Sequence, residues 1–471
     1  MKETESQTPK DLLEMVEHSA RIPDHIQKMQ GYVPGKTLEE VQKLYRPAMI
    51  AKLASNENRL GYSPLVREAV MERLSVVQNY PDPMSMELRE ELARRNGVDP
   101  SCILVTAGSE SAISILCRTF LQGGSDLQGG SDLQSGSDFQ GRANVRGRAD
   151  VRGRAEAVTA AATFVGFFVQ AGIMNANVVR VPMAEGFRFD GRAMLAAIRE
   201  ETRMIYLANP NNPTGTYMPA DEFRMWLDGI PDHVLIVVDE AYLEYAVDVE
   251  DYPRALNYLH GRPNMILLRT FSKAYGLAGF RIGYAIGDTA FIEQLAKVKL
   301  TFEPTVAAQA AALAALRDEE FLERSVDLVR GAREQFYAFL KRQGRAFVPS
   351  ISNSVMMVFD SEQEAIWCTE EMLKKGVILR RLGAFGLPHC VRVTMGTPAE
   401  MTHFEDSYKD VMKEWGDGRV HGDDQDRGDG RASGDEQNRG DGRVHGDDRE
   451  RGEESAHSDE KNRNKLSESQ K

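Results

Sequence analysis

The sequence predicts an α/β fold in which a mostly parallel central sheet is covered by helices, with a smaller α+β domain beside it. Two observations carry this expectation. Short apolar runs recur without polar alternation: CILVTAG (102–108), VVRVPM (178–183), MIYLANP (204–210), VLIVVDEAY (234–242) and MILLRTFSK (265–273). Strands buried on both faces read this way, as parallel strands do. Stretches between them, GRAMLAAIREE (191–201) and PADEFRMWLDGI (219–230), have helical spacing, so strand and helix alternate and the sheet is covered on both faces.

The 471 residues are enough for two domains, because a single core stops growing at roughly 250–300 residues. We divide them into an N-terminal arm and part of the small domain (1–50), a large domain (51–290), a linking helix with the small C-terminal domain (291–415), and a tail (416–471). After Phe291 the pattern turns helical, and the strand candidates SVMMVF (354–359), GVILR (376–380) and VRVTMG (391–396) follow. The net charge of −13 excludes a general affinity for nucleic acid, which needs clustered cations. Four cysteines, Cys102, Cys117, Cys368 and Cys390, show neither CxxC spacing nor disulfide-scaffold density, so a reducing compartment is expected and no metal site. The charged N-terminus lacks an apolar signal core, and no run reaches the roughly 18 apolar residues of a membrane span. A cytoplasmic location without membrane contact is the expectation.

Two segments are repetitive. From Gln122 a hexad runs QGGSDL, QGGSDL, QSGSDF, QGRANV, RGRADV, RGRAEA to Ala157, and from Asp417 a twelve-residue unit recurs as DGRVHGDDQDRG, DGRASGDEQNRG and DGRVHGDDRERG. One apolar position per hexad is thin for a stacked β-helix. A disordered surface loop is expected at 122–157, since loop closure costs only about 0.6 kcal/mol per doubling of length. The tail has too few apolar residues to offset chain entropy and is expected to be disordered.

In open α/β sheets ligands bind beyond the carboxyl ends of the strands. Four such ends carry polar groups: AGSES (107–111), ANPNNPTG (208–215), VVDEAY (237–242) and RTFSKAYGLAGFRIG (269–283). The last gathers Thr270, Ser272, Lys273 and Arg281, hydroxyl and cationic groups suited to a phosphoryl anion. A lysine beside such a site can be held neutral and nucleophilic enough to form a Schiff base. AGSES adds backbone N–H groups at a helix start. Asp239 ends an aliphatic run, and a buried carboxylate needs a partner, such as a protonated pyridine nitrogen. Each motif taken singly also has a structural reading: a solvated lysine, an N-cap, an Asp bonded to backbone amides, and a turn at NPNNPTG.

Together, in order and spacing, these motifs resemble the fold-type I, class II pyridoxal-phosphate-dependent aminotransferases, and within them the histidinol-phosphate aminotransferases. The resemblance extends through GYVPGKTLEEVQ (31–42), KLASNENRLGYSP (52–64), YPDP (80–83) and GVILRRLGAFGLPHCVRVTMGT (376–397). RTFSKAYGLAGFRIGY is the most specific stretch, whereas NPNNPTG and VDEAY are shared by many aminotransferases.

The resemblance implies pyridoxal 5′-phosphate as cofactor. Lys273 would form the Schiff base and shuttle the proton, Asp239 would pair with the pyridine nitrogen, and Asn212 and Tyr242 would bond the cofactor 3′ oxygen. Phe167 would stack on the ring. Ser109, Glu110 through its N–H, Thr270, Ser272 and Arg281 would hold the phosphate, and Tyr80 would reach the phosphate of a neighbouring subunit's cofactor in a homodimer with shared active sites. Arg392 would receive the substrate's anionic end, with Arg380, Tyr32 and Asn56 nearby, because a guanidinium fork binds carboxylate and phosphate alike. Small-molecule amino donors and 2-oxo acids are the implied partners, and transfer between glutamate and imidazole-acetol phosphate, in histidine biosynthesis, is the implied reaction.

Arg59 stands where the family usually has Pro, Gly31 likewise, and AAATF (160–164) replaces a Pro-rich lead-in; the hexad insertion falls before the strand leading to Phe167. Alternatives are an aromatic aminotransferase, a phospho-amino-acid decarboxylase of the same fold, or an inactive-fold interaction protein built around the repeats.

Overall fold

The computed structural model describes residues 22–29, 36–122 and 154–425, with side chains up to 416. Thirteen strands occur in it: β1 (Ala51–Lys52), β2 (Ile103–Thr106), β3 (Glu156–Ala160), β4 (Asn177–Val181), β5 (Thr202–Ala208), β6 (Leu235–Asp239), β7 (Met265–Thr270), β8 (Gly283–Gly287), β9 (Phe347–Val348), β10 (Ser354–Val358), β11 (Val377–Ile378), β12 (Arg380–Arg381) and β13 (Cys390–Thr394).

Seven strands form the large sheet in the order β2-β8-β7-β6-β5-β3-β4. All run parallel except β8, which is antiparallel to both β2 and β7. The missing polar alternation has its expected cause. In β6, Ile236 and Val238 pack into one apolar cluster with Phe223 and Trp226, while Leu235 and Val237 pack into a second with Ile113 and Leu116 on the opposite face. Helices Ser109–Phe120, Val165–Ile173 and Ala220–Asp228 are among those covering these faces.

Four corrections to the sequence reading concern elements. β4, expected to be buried, is the sheet edge, and only Val181 of its five residues is buried. β8, read as part of a loop motif, is a strand whose GYAIG text is too short and glycine-rich to stand out. The helix in 191–201 is only Gly191–Ala196. The hexad stretch does not remain loop to Ala157: Glu156 and Ala157 begin β3, which pairs with β4 and β5 and is buried throughout. The rest of the hexads, 123–153, lie outside the described residues.

A four-stranded antiparallel sheet, β12-β13-β10-β9, and the parallel pair β1-β11 lie with helices Glu319–Arg342 and Glu362–Lys374. Their core, with Phe336, Phe339, Phe404 and Val393, also takes in Tyr242 and Ala274 from the large sheet's strand ends, so the two parts meet at the candidate site. The compact unit that holds both sheets ends at Gly416. The last helix is Pro398–Gln425, so the tail expected to be disordered begins as helix, and the repeats after it lie outside the described residues.

Candidate active site

Because β2, β5, β6 and β7 run in one direction, their carboxyl ends share one edge of the sheet. Gly283, the first residue of β8, is in register with Thr106 on one side and Thr270 on the other. A Cβ at Gly283 would lie 2.8 Å from the Ser109 amide nitrogen and 2.7 Å from the Arg269 carbonyl oxygen, so only glycine allows these strand ends to close together.

The cluster that results suits a phosphate. The helix Ser109–Phe120 starts at Gly108, which has no side chain to occupy the Ser109 and Glu110 N–H groups. Ser272 accepts from Thr270 Oγ1 at 3.0 Å, and Ser272 N–H donates to Thr270 Oγ1 at 3.1 Å. The exposed Arg281 donates to Ser272 Oγ at 3.4 Å and to the Ala278 carbonyl at 3.0 Å.

Deeper in, Asp239 at the end of β6 is 4% exposed. Its Oδ2 accepts from the Tyr206 hydroxyl at 2.7 Å and its Oδ1 from the Ala241 N–H at 3.1 Å. Burial pushes its carboxyl up to about 6, against the lowering effect of those donors. A buried carboxylate poised in this way fits a protonated ring nitrogen.

Lys273 follows β7, half-buried, and donates from Nζ to the Ser55 carbonyl at 3.3 Å. Its Nζ stands 5.8 Å from the centre of the Tyr242 ring. Burial first, then the Arg392 cation, lowers the amine to about 8, with Glu57 acting in the opposite sense. An amine so placed is neutral in about a tenth of molecules at pH 7 and in more as the pH rises, which supplies the form a nucleophile requires. Tyr242, buried beside it, accepts from Asn56 Nδ2 at 2.9 Å, and burial raises its hydroxyl.

Arg392 on β13 is 5% exposed. It donates to Asn212 Oδ1 and, at 2.6 Å, to the Ala54 carbonyl. Arg380 is its register partner on β12. Asn56 is tied to the same strand end by its N–H to Thr394 Oγ1 at 2.9 Å.

The structure therefore brings Ser109, Glu110, Asn212, Asp239, Tyr242, Thr270, Ser272, Lys273, Arg281, Asn56, Arg380 and Arg392 to the strand-end region. Of the remaining three expected residues, only Phe167 is placed against its expected role, and the expectation for Tyr80 concerns a neighbouring subunit's site. Tyr32 lies outside the described residues. Tyr80 is 77% exposed and stacks on Phe302 at 4.1 Å. Phe167 is fully buried, its ring parallel to that of Tyr206 at 4.3 Å, which leaves no face open to a ligand ring. Phe164 was missed. It is half-buried and lies over Gly166, where an added Cβ would meet its ring at 2.5 Å and Glu110 Oε1 at 3.3 Å. The only signal for it was its position just after the strand, in ATF, ahead of the more conspicuous FF pair.

A family model for class I and II aminotransferases matches residues 149–407. The chain is an aminotransferase of this family. It is 36% identical over 393 residues to histidinol-phosphate aminotransferase of Geobacillus sp. (strain WCH70), spanning 83% of this chain and 98% of that protein. The enzyme of that name from Geobacillus thermodenitrificans (strain NG80-2) is 35% identical, over 84% of this aminotransferase and 99% of its own length. Among solved structures, histidinol-phosphate aminotransferase of Sinorhizobium meliloti in complex with pyridoxal-5′-phosphate superposes with a TM-score of 0.72 at 27% identity, covering 84% of this chain and 98% of that one. The aminotransferase uses pyridoxal 5′-phosphate, and its fold is that of the fold-type I enzymes.

Proposed function

We propose that this aminotransferase moves the amino group of L-histidinol phosphate to 2-oxoglutarate, giving imidazole-acetol phosphate and glutamate, as a step of histidine biosynthesis. The observation that carries the reading is Arg392. It is nearly buried, fixed by Asn212 and the Ala54 carbonyl, and has Arg380 opposite it in register. Paired guanidinium groups accept the carboxylate of one substrate and the phosphate of the other.

Bound pyridoxal phosphate supplies the aldehyde that captures the amine and the ring that withdraws electrons from the substrate α-carbon. The chain does the rest. Thr270, Ser272, Arg281 and the Ser109 and Glu110 N–H groups hold the phosphate. Asp239, backed by Tyr206, would pair its negative charge with the protonated ring nitrogen. Asn212 and Tyr242 bond the ring oxygen, and Lys273 Nζ takes a proton from the α-carbon and returns it on the cofactor side. For ring stacking we assign Phe164 in place of the occluded Phe167.

We further propose a cytoplasmic homodimer with shared active sites. Supporting it, Tyr80 and Phe302 lie with Leu74, Val77, Met84 and Leu300 among the large apolar side chains left exposed on a single chain. The described residues contain no helix long and apolar enough to cross a membrane, and the described cysteines are free thiols. Light scattering that returned a monomer at working concentration would remove the shared-site part.

The deciding experiment is a half-reaction in which the visible band of the loaded enzyme is followed with histidinol phosphate, tyrosine and phenylalanine in turn. Loss of the band with histidinol phosphate at the highest kcat/KM is expected. Preference for an aromatic amino acid, or release of carbon dioxide, would overturn the substrate, and a protein that stays colourless with added cofactor would favour an inactive fold. Borohydride reduction followed by peptide mapping is expected to leave the cofactor on Lys273.

A further inference from the structure

Asn56 is hydrogen-bonded within the protein at each of its four polar atoms. Its N–H donates to Thr394 Oγ1 at 2.9 Å, and its Oδ1 accepts from the Thr394 hydroxyl at 3.1 Å. Its Nδ2 donates to the Tyr242 hydroxyl at 2.9 Å, and its carbonyl accepts from Asn353 Nδ2 at 2.9 Å. All four residues are buried, none more than 3% exposed. The Asn56 backbone is left-handed, at φ +55°, a conformation asparagine adopts more readily than most residues. The side chain therefore bridges Thr394, the last residue of β13, and Tyr242, three residues beyond the end of β6.

Chemistry fixes the direction of each bond in this bridge. A backbone N–H can only donate, so Thr394 Oγ1 accepts from Asn56 and keeps one proton to give. Asn56 Oδ1 takes that proton, which turns the amide nitrogen towards Tyr242, where it can only donate. The Tyr242 oxygen is the acceptor in that bond, and its own proton remains to be given elsewhere. With the amide reversed, the Thr394 proton would lose Oδ1, which is costly in a buried site, and the Tyr242 proton would be drawn to Asn56.

We propose that Asn56 is a positioning residue rather than a substrate ligand: its amide, oriented by the Thr394 hydroxyl, makes Tyr242 a hydrogen-bond donor to the cofactor ring oxygen. This rests on the assignment of Tyr242 to that oxygen made above. Arg392, two residues before Thr394 on the same strand, donates to Asn212, so β13 orients both groups assigned to the ring oxygen.

A hydroxyl that donates to the ring oxygen favours the form in which that oxygen carries negative charge. It thereby lowers the pH at which the loaded enzyme releases the proton that changes its visible band. The test is a pH titration of that band without substrate. In Thr394→Val, which keeps the shape and removes the hydroxyl, the midpoint is expected to rise by roughly 0.5–1 pH unit, while Thr394→Ser stays close to the parent. The charged groups around Tyr242 are unchanged in both variants: Asp239 three residues earlier, Lys273 with Nζ 5.8 Å from the ring centre, and Arg392 on β13. In a Tyr242→Phe background, Thr394→Val is expected to add no further shift, because its effect passes through that hydroxyl.

An unchanged midpoint in Thr394→Val, equal shifts in the Val and Ser variants, or additive shifts in the double variant overturns the proposal. If Thr394→Val does not fold, Asn56→Asp decides alone: it offers Tyr242 only acceptors, and an unmoved or lowered midpoint overturns the proposal. A midpoint left unmoved by Tyr242→Phe alone would fail the Tyr242 assignment instead. The titration needs no substrate, so failure with histidinol phosphate leaves it intact.

Discussion

The Tyr206 hydroxyl donates a 2.7 Å hydrogen bond to Asp239 Oδ2, and the Tyr206 ring lies parallel to Phe167 at 4.3 Å. Phe167 thus belongs to the support beneath the buried Asp239 carboxylate. Phe167→Ala is expected to destabilise the fold by about 3–5 kcal/mol in urea titration, as truncation of a buried Phe does. Phe164→Ala is expected to spare stability and weaken cofactor binding two- to tenfold, the loss of one aromatic stack at about 0.5–1.5 kcal/mol. The reverse pattern would restore Phe167 to the ring.

The raised carboxyl of Asp239 gives cofactor binding a pH dependence. Its proton leaves near pH 6 in the apoenzyme, because burial disfavours the charge. A ring-nitrogen cation is attracted only to the ionised form. Affinity is therefore full above about pH 6 and falls as pH drops through that value, with a proton released on binding below it. Equilibrium titration of apoenzyme with pyridoxal phosphate across pH 5–8 checks this. Asp239→Asn is expected to bind more weakly and to lose that part of the slope; an unaltered slope would assign it to another group.

What the sequence disclosed and what it hid follow from range. β5, β6 and β7 were legible because both faces are buried, which turns each into an unbroken apolar run. Polar residues ending such runs had to lie on the sheet's carboxyl edge, so Asp239 and Thr270 could be found without coordinates. β4 misled because an edge strand can keep the same text while losing its cover. Phe164 and Phe167 are three residues apart on one turn, and which of them faces the pocket depends on Tyr206, 39 residues later.

Arg392 is bound at two points by the protein, Asn212 and the Ala54 carbonyl, which fixes the plane of the guanidinium before substrate arrives. Arg392→Lys keeps the charge and loses the fork. It is expected to lower kcat/KM about 10- to 100-fold for both half-reactions, since a hydrogen bond to a charged group contributes about 1.5–3 kcal/mol. Steady-state rates with the amino donor and with 2-oxoglutarate measure it. A loss confined to one substrate would show that the two anions use different groups, with Arg380 the first alternative.

The last helix ties the end of the compact unit to its core through Phe404, Tyr408 and Val411, all fully or almost fully buried, and through Trp415, whose ring lies 5.1 Å from that of Trp367. Helix Glu362–Lys374, which carries Trp367, in turn buries Cys368 and Met372 in the core shared with Tyr242. A chain ending at Trp415 keeps each of these contacts and every residue assigned to the site. It is expected to fold with kcat/KM within about twofold of the full chain, the range of a change outside any packed feature. Thermal unfolding and half-reaction rates compare the two. A tenfold loss of kcat/KM with unchanged stability would give residues 416–471 a part in the reaction, and removal of Trp415 as well is expected to lower stability through Trp367.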